Sequence, residues 1–296
     1  MLQRFLEPSV LASISGLELV AKTVVDGFVA GLHRSPDFGF SQEFAEYQAY
    51  TPGDDLRHID WNVYARSEKL YLKRFRGETN SMLTILLDAS NSMQFGSHSV
   101  NKMDYARYLT ASLLYLAIHG QRDAAGLITF DDEIRNYIRP STRQGQLHRL
   151  MAALDQAEAR ARTDFAKPMG YFKEFLKRRG MVLIVSDFWE SPESIVRTIE
   201  PLRYYGNEVV LFHVLDPEDV RPKLSGPTIV VDMETKSELE VTPDYSRKEY
   251  REKIEAHLAD LRTRTQAAGM GYCLLMTDRP LDSALFEYLT LRGGRK

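Results

Sequence analysis

Five residues of this chain have the types and positions to hold a cation. Asp88, Ser90 and Ser92 follow Leu83-Thr-Ile-Leu-Leu, a run of apolar and β-branched residues. Such a run predicts a fully buried strand. Asp187 ends a second run of this kind, Met181-Val-Leu-Ile-Val-Ser, and Thr163 falls in a loop ahead of it. Two carboxylates and three hydroxyls are hard oxygen donors, suited to Mg2+ or Mn2+ rather than to Zn2+, which prefers nitrogen and sulfur. Hydroxyls add no negative charge. A divalent ion held by only two acids is not over-neutralised and keeps positive character at a replaceable ligand position, a place for a carboxylate from another molecule. Asp-x-Ser-x-Ser spacing lets one tight loop turn three side chains to one point.

The elements between these residues must bring them together. From Met82 onward, strands and helices alternate. Strands are predicted at 83–87, 124–130, 133–138, 181–186, 208–214 and 271–276. Helices are predicted at 102–119, 144–159, 165–178, 192–204, 244–268 and 281–291. The alternation predicts an α/β fold, a doubly wound and mostly parallel sheet. The turn Asp131-Asp132 is too short for a crossover, so strand 133–138 runs antiparallel to strand 124–130. That reversal fixes the rest. Helix 144–159 climbs, Thr163 reaches the upper rim, helix 165–178 descends, and strand 181–186 delivers Asp187 beside Asp88.

The flanking regions read differently. Residues 8–30 carry apolar positions at helical spacing, Leu17, Val20, Val24 and Phe28 among them. Residues 33–80 are aromatic-rich and partly alternating, which predicts short strands around the turn Pro52-Gly53-Asp54-Asp55. Pro217, Pro222 and Pro227 interrupt the α/β rhythm, and 216–243 reads as an insertion holding a small hairpin. Two domains are expected: 1–80, an N-terminal helix plus a small β module, and 81–296, the α/β domain.

Composition narrows the function. With 296 residues, 44% hydrophobic and 27% charged, the chain can bury a large core. A net charge of −3 provides no global basic field, so nucleic acid is not an expected partner. The basic groups at Lys177-Arg-Arg179, Arg160, Arg162 and the tail Arg292–Lys296 have acidic neighbours that weaken them. A single Cys excludes an internal disulfide and any CxxC metal site. No window reaches the roughly 18 apolar residues of a membrane span. The N-terminus lacks the pattern of a signal peptide, and a cytoplasmic location is the expectation. The His residues show no paired spacing. His213, inside a predicted strand, reads as a satisfied core residue, and Cys273 as a buried, inert thiol.

Asp88-x-Ser90-x-Ser92, loop Thr163 and strand-end Asp187 resemble the metal-ion-dependent adhesion site of von Willebrand factor type A domains. Further residues are similar to the prokaryotic MoxR-associated family, a domain of unknown function. They are Phe44-Ala-Glu-Tyr, Tyr50-x-Pro-Gly-Asp-Asp-Leu-Arg57-x-Ile-Asp-Trp61-x-x-x-Ala65-Arg66, Lys73-x-Phe75 and Thr277-Asp-Arg-Pro-Leu. The resemblance covers roughly residues 11–292. One departure is Gln48, where the family often has Arg. The resemblance implies a non-enzymatic, metal-dependent interaction module, acting as adaptor or chaperone-like partner of a MoxR-type AAA+ ATPase and binding an acidic residue of a protein client. The competing reading is a metal-dependent phosphoryl hydrolase with Asp88 as nucleophile. Such phosphatases usually place a second acid two residues later, where this chain has Ser90.

Overall fold

In a computed structural model, the described residues are 7–32, 44–49, 64, 71–75, 82–159, 166–175, 179–224, 226–231, 237–242 and 249–293. Thr163 and the Pro52–Asp55 turn lie outside them. In chain order the elements are α1 (Pro8–Leu11), α2 (Leu17–Leu32), β1 (Phe44–Ala49), β2 (Tyr71–Phe75), β3 (Met82–Asp88), α3 (Lys102–Tyr115), β4 (Ala124–Phe130), β5 (Ile134–Ser141), α4 (Gln146–Asp155) and α5 (Ala166–Phe175). There follow β6 (Met181–Ser186), α6 (Pro192–Ile199), α7 (Pro201–Tyr204), β7 (Glu208–Leu215), α8 (Pro217–Val220), β8 (Thr228–Val231), β9 (Glu238–Val241), α9 (Arg251–Ala267), β10 (Gly271–Met276) and α10 (Asp282–Gly293).

Six strands form one sheet in the order β10-β7-β6-β3-β4-β5. All neighbours pair in parallel except β5, which returns antiparallel to β4 at the edge. The protein is therefore mixed α/β with a doubly wound, mostly parallel sheet. Helices cover both faces, which is why every residue of β6 is buried and β3 is buried from Leu83 onward. Edge strand β5 is half exposed. On one face Leu86, Ile128, Ile184 and Leu211 pack with Phe172, Ile195, Ile199 and Leu261. Phe130 meets Phe172 edge-on at 5.7 Å between ring centroids.

Several boundaries move for identifiable reasons. The predicted helix 8–30 is two helices, because Gly16 takes φ +90° between them. The helix read at 192–204 breaks at Pro201, which brings no N–H to the ladder. The predicted helix 102–119 is α3 up to Tyr115, continued by one π-turn, Leu116–Gly120.

The chain divides into two compact units, Met1–Phe28 with Ser81–Lys296, and Val29–Asn80. Helix α2, read from sequence together with the small β module, groups with the larger unit up to Phe28 and with the smaller one from Val29. It buries Val20, Ala21, Val24 and Val25, and its Glu18 and Asp26 act electrostatically on Tyr115 at the end of α3. In the smaller unit, β1 pairs antiparallel with β2. The hairpin of the insertion, β8 with β9, leaves Ile229, Val230, Val231 and Leu239 exposed.

Candidate functional site

Because β3, β4, β6, β7 and β10 run the same way, their carboxyl ends form one rim. The pairing of β3 with β6 sets Leu87 opposite Val185, so Asp88 stands level with Ser186, and Asp187 follows immediately. The Ser186 hydroxyl donates to Asp88 Oδ2 at 2.6 Å, and the Ser90 N–H donates to Oδ1 at 2.8 Å. The Oγ atoms of Ser90 and Ser92 lie 3.0 Å apart. The structure thus brings Asp88, Ser90, Ser92 and Asp187 to one rim, as the strand tracing expects.

Asp88 is completely buried. Burial first, then the charge of Asp187, push its carboxyl up from 3.8 to about 7, against the hydrogen bonds from Ser186 and Ser90. Both causes are of the kind that a cation placed here reverses.

A residue that the sequence reading passed over completes the electrostatics. Lys102 opens α3, yet its side chain is only 1% exposed. Its Nζ donates to Asp187 Oδ2 at 2.7 Å and lies 3.1 Å from Asp219 Oδ2. The rings of Phe95 and Trp189 each have their centroid 5.6 Å from the ammonium. Burial alone would lower the lysine's pKa; Asp187 and Asp219 outweigh it and raise it. Asp219 is delivered by the short helix α8 after β7. There Asp216 caps the helix by accepting from the Glu218 N–H at 2.9 Å, and Asp219 accepts from the Asp216 N–H at 2.9 Å. Asp216 also accepts from the Ser97 N–H at 2.9 Å and the Thr277 hydroxyl at 3.2 Å. Burial would raise it, but these donors hold it below the ordinary carboxylate range.

The loop after β6 is strained and pinned. Phe188 has φ 45°, an outlier for a bulky side chain. Its N–H donates to Ser186 Oγ at 3.1 Å. His213 Nε2 lies 2.8 Å from the Asp187 carbonyl, and His257 Nε2 lies 3.1 Å from the Phe188 carbonyl. A carbonyl only accepts, so both Nε2 atoms carry the proton. His213 Nδ1 then accepts from the Tyr272 hydroxyl at 2.8 Å. Burial is the main cause that pushes the His213 pKa down to about 3, so the ring is neutral. It is the satisfied core histidine expected from sequence. Trp189 stacks on His257, with centroids 6.2 Å apart, and remains 42% exposed beside the rim. Cys273 is half-buried rather than buried, and burial pushes its thiol up to about 12.

Among the described residues, no three His, Cys, Asp or Glu side chains are grouped to hold a metal. The donors here are two acids and two hydroxyls. Asp187 and Asp219 face the single ammonium of Lys102, with the buried Asp88 carboxyl acting on Asp187, an excess of two negative charges when all three are ionised. Hard oxygen donors with that excess fit a divalent cation such as Mg2+.

A mostly parallel sheet wound on both faces, with its polar residues gathered at the carboxyl ends of the strands, is a von Willebrand factor A-like fold. The family described as "Protein of unknown function DUF58" matches residues 46–264, and the chain belongs to it. An uncharacterized protein of Mycobacterium tuberculosis is 30% identical over 291 residues, which is 97% of this chain and 90% of that protein. Among solved structures, BatB from Bacteroides thetaiotaomicron aligns with TM-score 0.50 at 14% identity, over 72% of this chain and all of that one. The SpRpn10 VWA domain aligns with TM-score 0.44 at 13% identity, over 70% of this chain and 93% of that one.

Proposed function

We propose that the protein is a non-enzymatic, metal-dependent interaction module. In this reading Asp88, Ser90, Ser92, Asp187 and Thr163 hold Mg2+ or Mn2+, and a carboxylate of a partner protein takes the open coordination position. The observation that carries it is the buried pair Asp88 and Asp187, beside the Ser90 and Ser92 hydroxyls and short of positive charge. Trp189, exposed beside the same rim, offers a flat apolar surface to whatever brings the carboxylate. The family resemblance extends the reading to an adaptor or chaperone-like role beside a MoxR-type AAA+ ATPase in the cytoplasm.

The rival, a phosphoryl hydrolase using Asp88, is disfavoured by the surroundings of that residue. Both its oxygens already accept hydrogen bonds, from Ser186 and Ser90. His213, the nearby imidazole, commits both nitrogens elsewhere. No general acid stands two residues after Asp88.

Calorimetric melting with and without Mg2+ tests the cation site. At about 100-fold excess over Kd, a bound ion adds roughly 2.7 kcal/mol of stability, a Tm rise of about 4 °C for a chain of this size. The shift is expected in wild type and absent in Asp88→Ala; equal shifts in both refute it. Pull-down from native lysate is expected to recover an AAA+ ATPase in Mg2+ and to lose it in EDTA. Recovery of no ATPase in either buffer refutes the adaptor role. Phosphate release from a substrate panel, abolished by Asp88→Asn, would establish the hydrolase instead.

A further inference from the structure

The opposite pole of the sheet carries a second feature. Strand β5 ends at Ser141, whose partner is Ala125 at the start of β4, so this end lies away from Asp88. Here a cavity of about 300 Å³ is lined by Arg139, Pro140, Ser141, Arg143, Gln146 and Arg149. Among the described residues, none of its three arginines forms an ion pair. The contrast with Arg135 on the same strand is sharp: that guanidinium lies 2.7 Å from Asp131, 3.0 Å from Asp132 and 3.3 Å from Glu133. Three like charges around a cavity whose lining, among the described residues, holds no acid repel one another, and an anion between them removes that repulsion.

The walls are fixed. Gln146 is only 3% exposed, and its Nε2 donates to the Ala125 carbonyl at 2.8 Å and the Arg139 carbonyl at 3.0 Å. Ser141 Oγ accepts from the Arg143 N–H at 3.1 Å, ordering the loop between strand and helix. Gly145, with φ +81°, places no side chain over the first amides of α4. These amides add to the positive field of the guanidiniums.

We propose that this cavity binds the diphosphate group of a small molecule. Guanidinium forks match phosphoryl oxygens in geometry, two bonds at a time. Three of them balance the roughly three negative charges of a diphosphate near neutral pH. The volume is at the small end of ligand sites, the size of a charged head rather than of a whole large cofactor. The site is distant from the Asp88 rim and independent of any metal there.

The test is titration calorimetry on the full chain in EDTA at fixed ionic strength, with inorganic pyrophosphate and with ADP as probes. Pyrophosphate is expected to bind wild type, and each of Arg139→Gln, Arg143→Gln and Arg149→Gln to weaken it about tenfold, the usual worth of a charge-assisted bond. Asp88→Ala binds it as wild type does. These arginines are exposed, so the variants keep the wild-type circular dichroism and melting. Equal affinities for the two probes identify free diphosphate as the ligand chemistry, and tighter ADP binding identifies a nucleoside diphosphate; both uphold the site. Failure of wild type to bind either probe overturns the proposal, as does unchanged affinity in all three variants.

Discussion

Asp88→Asn separates a metal-binding carboxylate from an ordinary buried acid. The substitution keeps the shape of the side chain. Asn Oδ1 still accepts from the Ser90 N–H, and Nδ2 donates to Ser186 Oγ, which is able to accept. What disappears is the charge. In EDTA the wild-type carboxyl is pushed up from 3.8 to about 7 in the folded protein. The native state therefore binds this proton more tightly than the unfolded chain. Stability is fully present below pH about 4, declines as pH rises to about 7, and is level above that. At about 1.36 kcal/mol per tenfold, the decline is on the order of 4 kcal/mol at most. Asp88→Asn lacks the decline. In EDTA at pH 8 it is expected to be more stable than wild type, with a urea midpoint roughly 1 M higher, and the gap closes by pH 4. Mg2+ supplies the missing charge, so it raises wild type at pH 8 and leaves the Asn variant where it was. Parallel stability curves for the two proteins from pH 4 to 8 in EDTA would refute the reasoning.

Lys102→Met leaves Asp187 and Asp219 buried with no cation, and a loss of about 3–5 kcal/mol in urea denaturation is expected. Mg2+ recovers part of that loss; a loss under about 1 kcal/mol would mean the ion triad carries little. His213→Leu strands the Asp187 carbonyl and the Tyr272 hydroxyl and is expected to cost about 1–3 kcal/mol for each. In wild type the His213 ring takes up a proton only near pH 3, so the unfolded chain protonates first and stability falls as pH drops below about 6.5. Imidazole NMR shifts for His213 that stay flat from pH 8 to 5 check this, and titration near pH 6.5 contradicts it.

Much of the rim was legible because one short turn decides the direction of everything after it. Asp131-Asp132 forces a hairpin, and that reversal brings Asp187 up beside Asp88. The Lys102 ion triad was less visible, although a signal existed. The apolar positions Tyr105, Leu109, Leu113 and Leu116 define the inward stripe of α3, and Lys102 falls three residues before Tyr105, in the same phase. A lysine in a buried phase is a cation with a buried partner waiting. Its partners could not be read, since Asp187 belongs to another strand and Asp219 to a four-residue helix with no periodicity. Ser186, and the partners of His213 though not its place in the core, were hidden inside apolar runs, where strand-face alternation is lost because both faces of the sheet are covered. The placement of α2 depended on tertiary contacts far along the chain, which local pattern does not encode.

The two histidines hydrogen-bond the loop after β6 through its carbonyl oxygens, at Asp187 and Phe188, and meet its side chains only by ring packing, on Phe188 and Trp189. Frame and contact surface are thereby separated. Every residue type brings the same carbonyl, so position 189 is able to change while the backbone that presents Asp187 stays where it is. Change at Trp189 alters what the rim touches and removes the ring beside the Lys102 ammonium, while the two carbonyl hydrogen bonds remain.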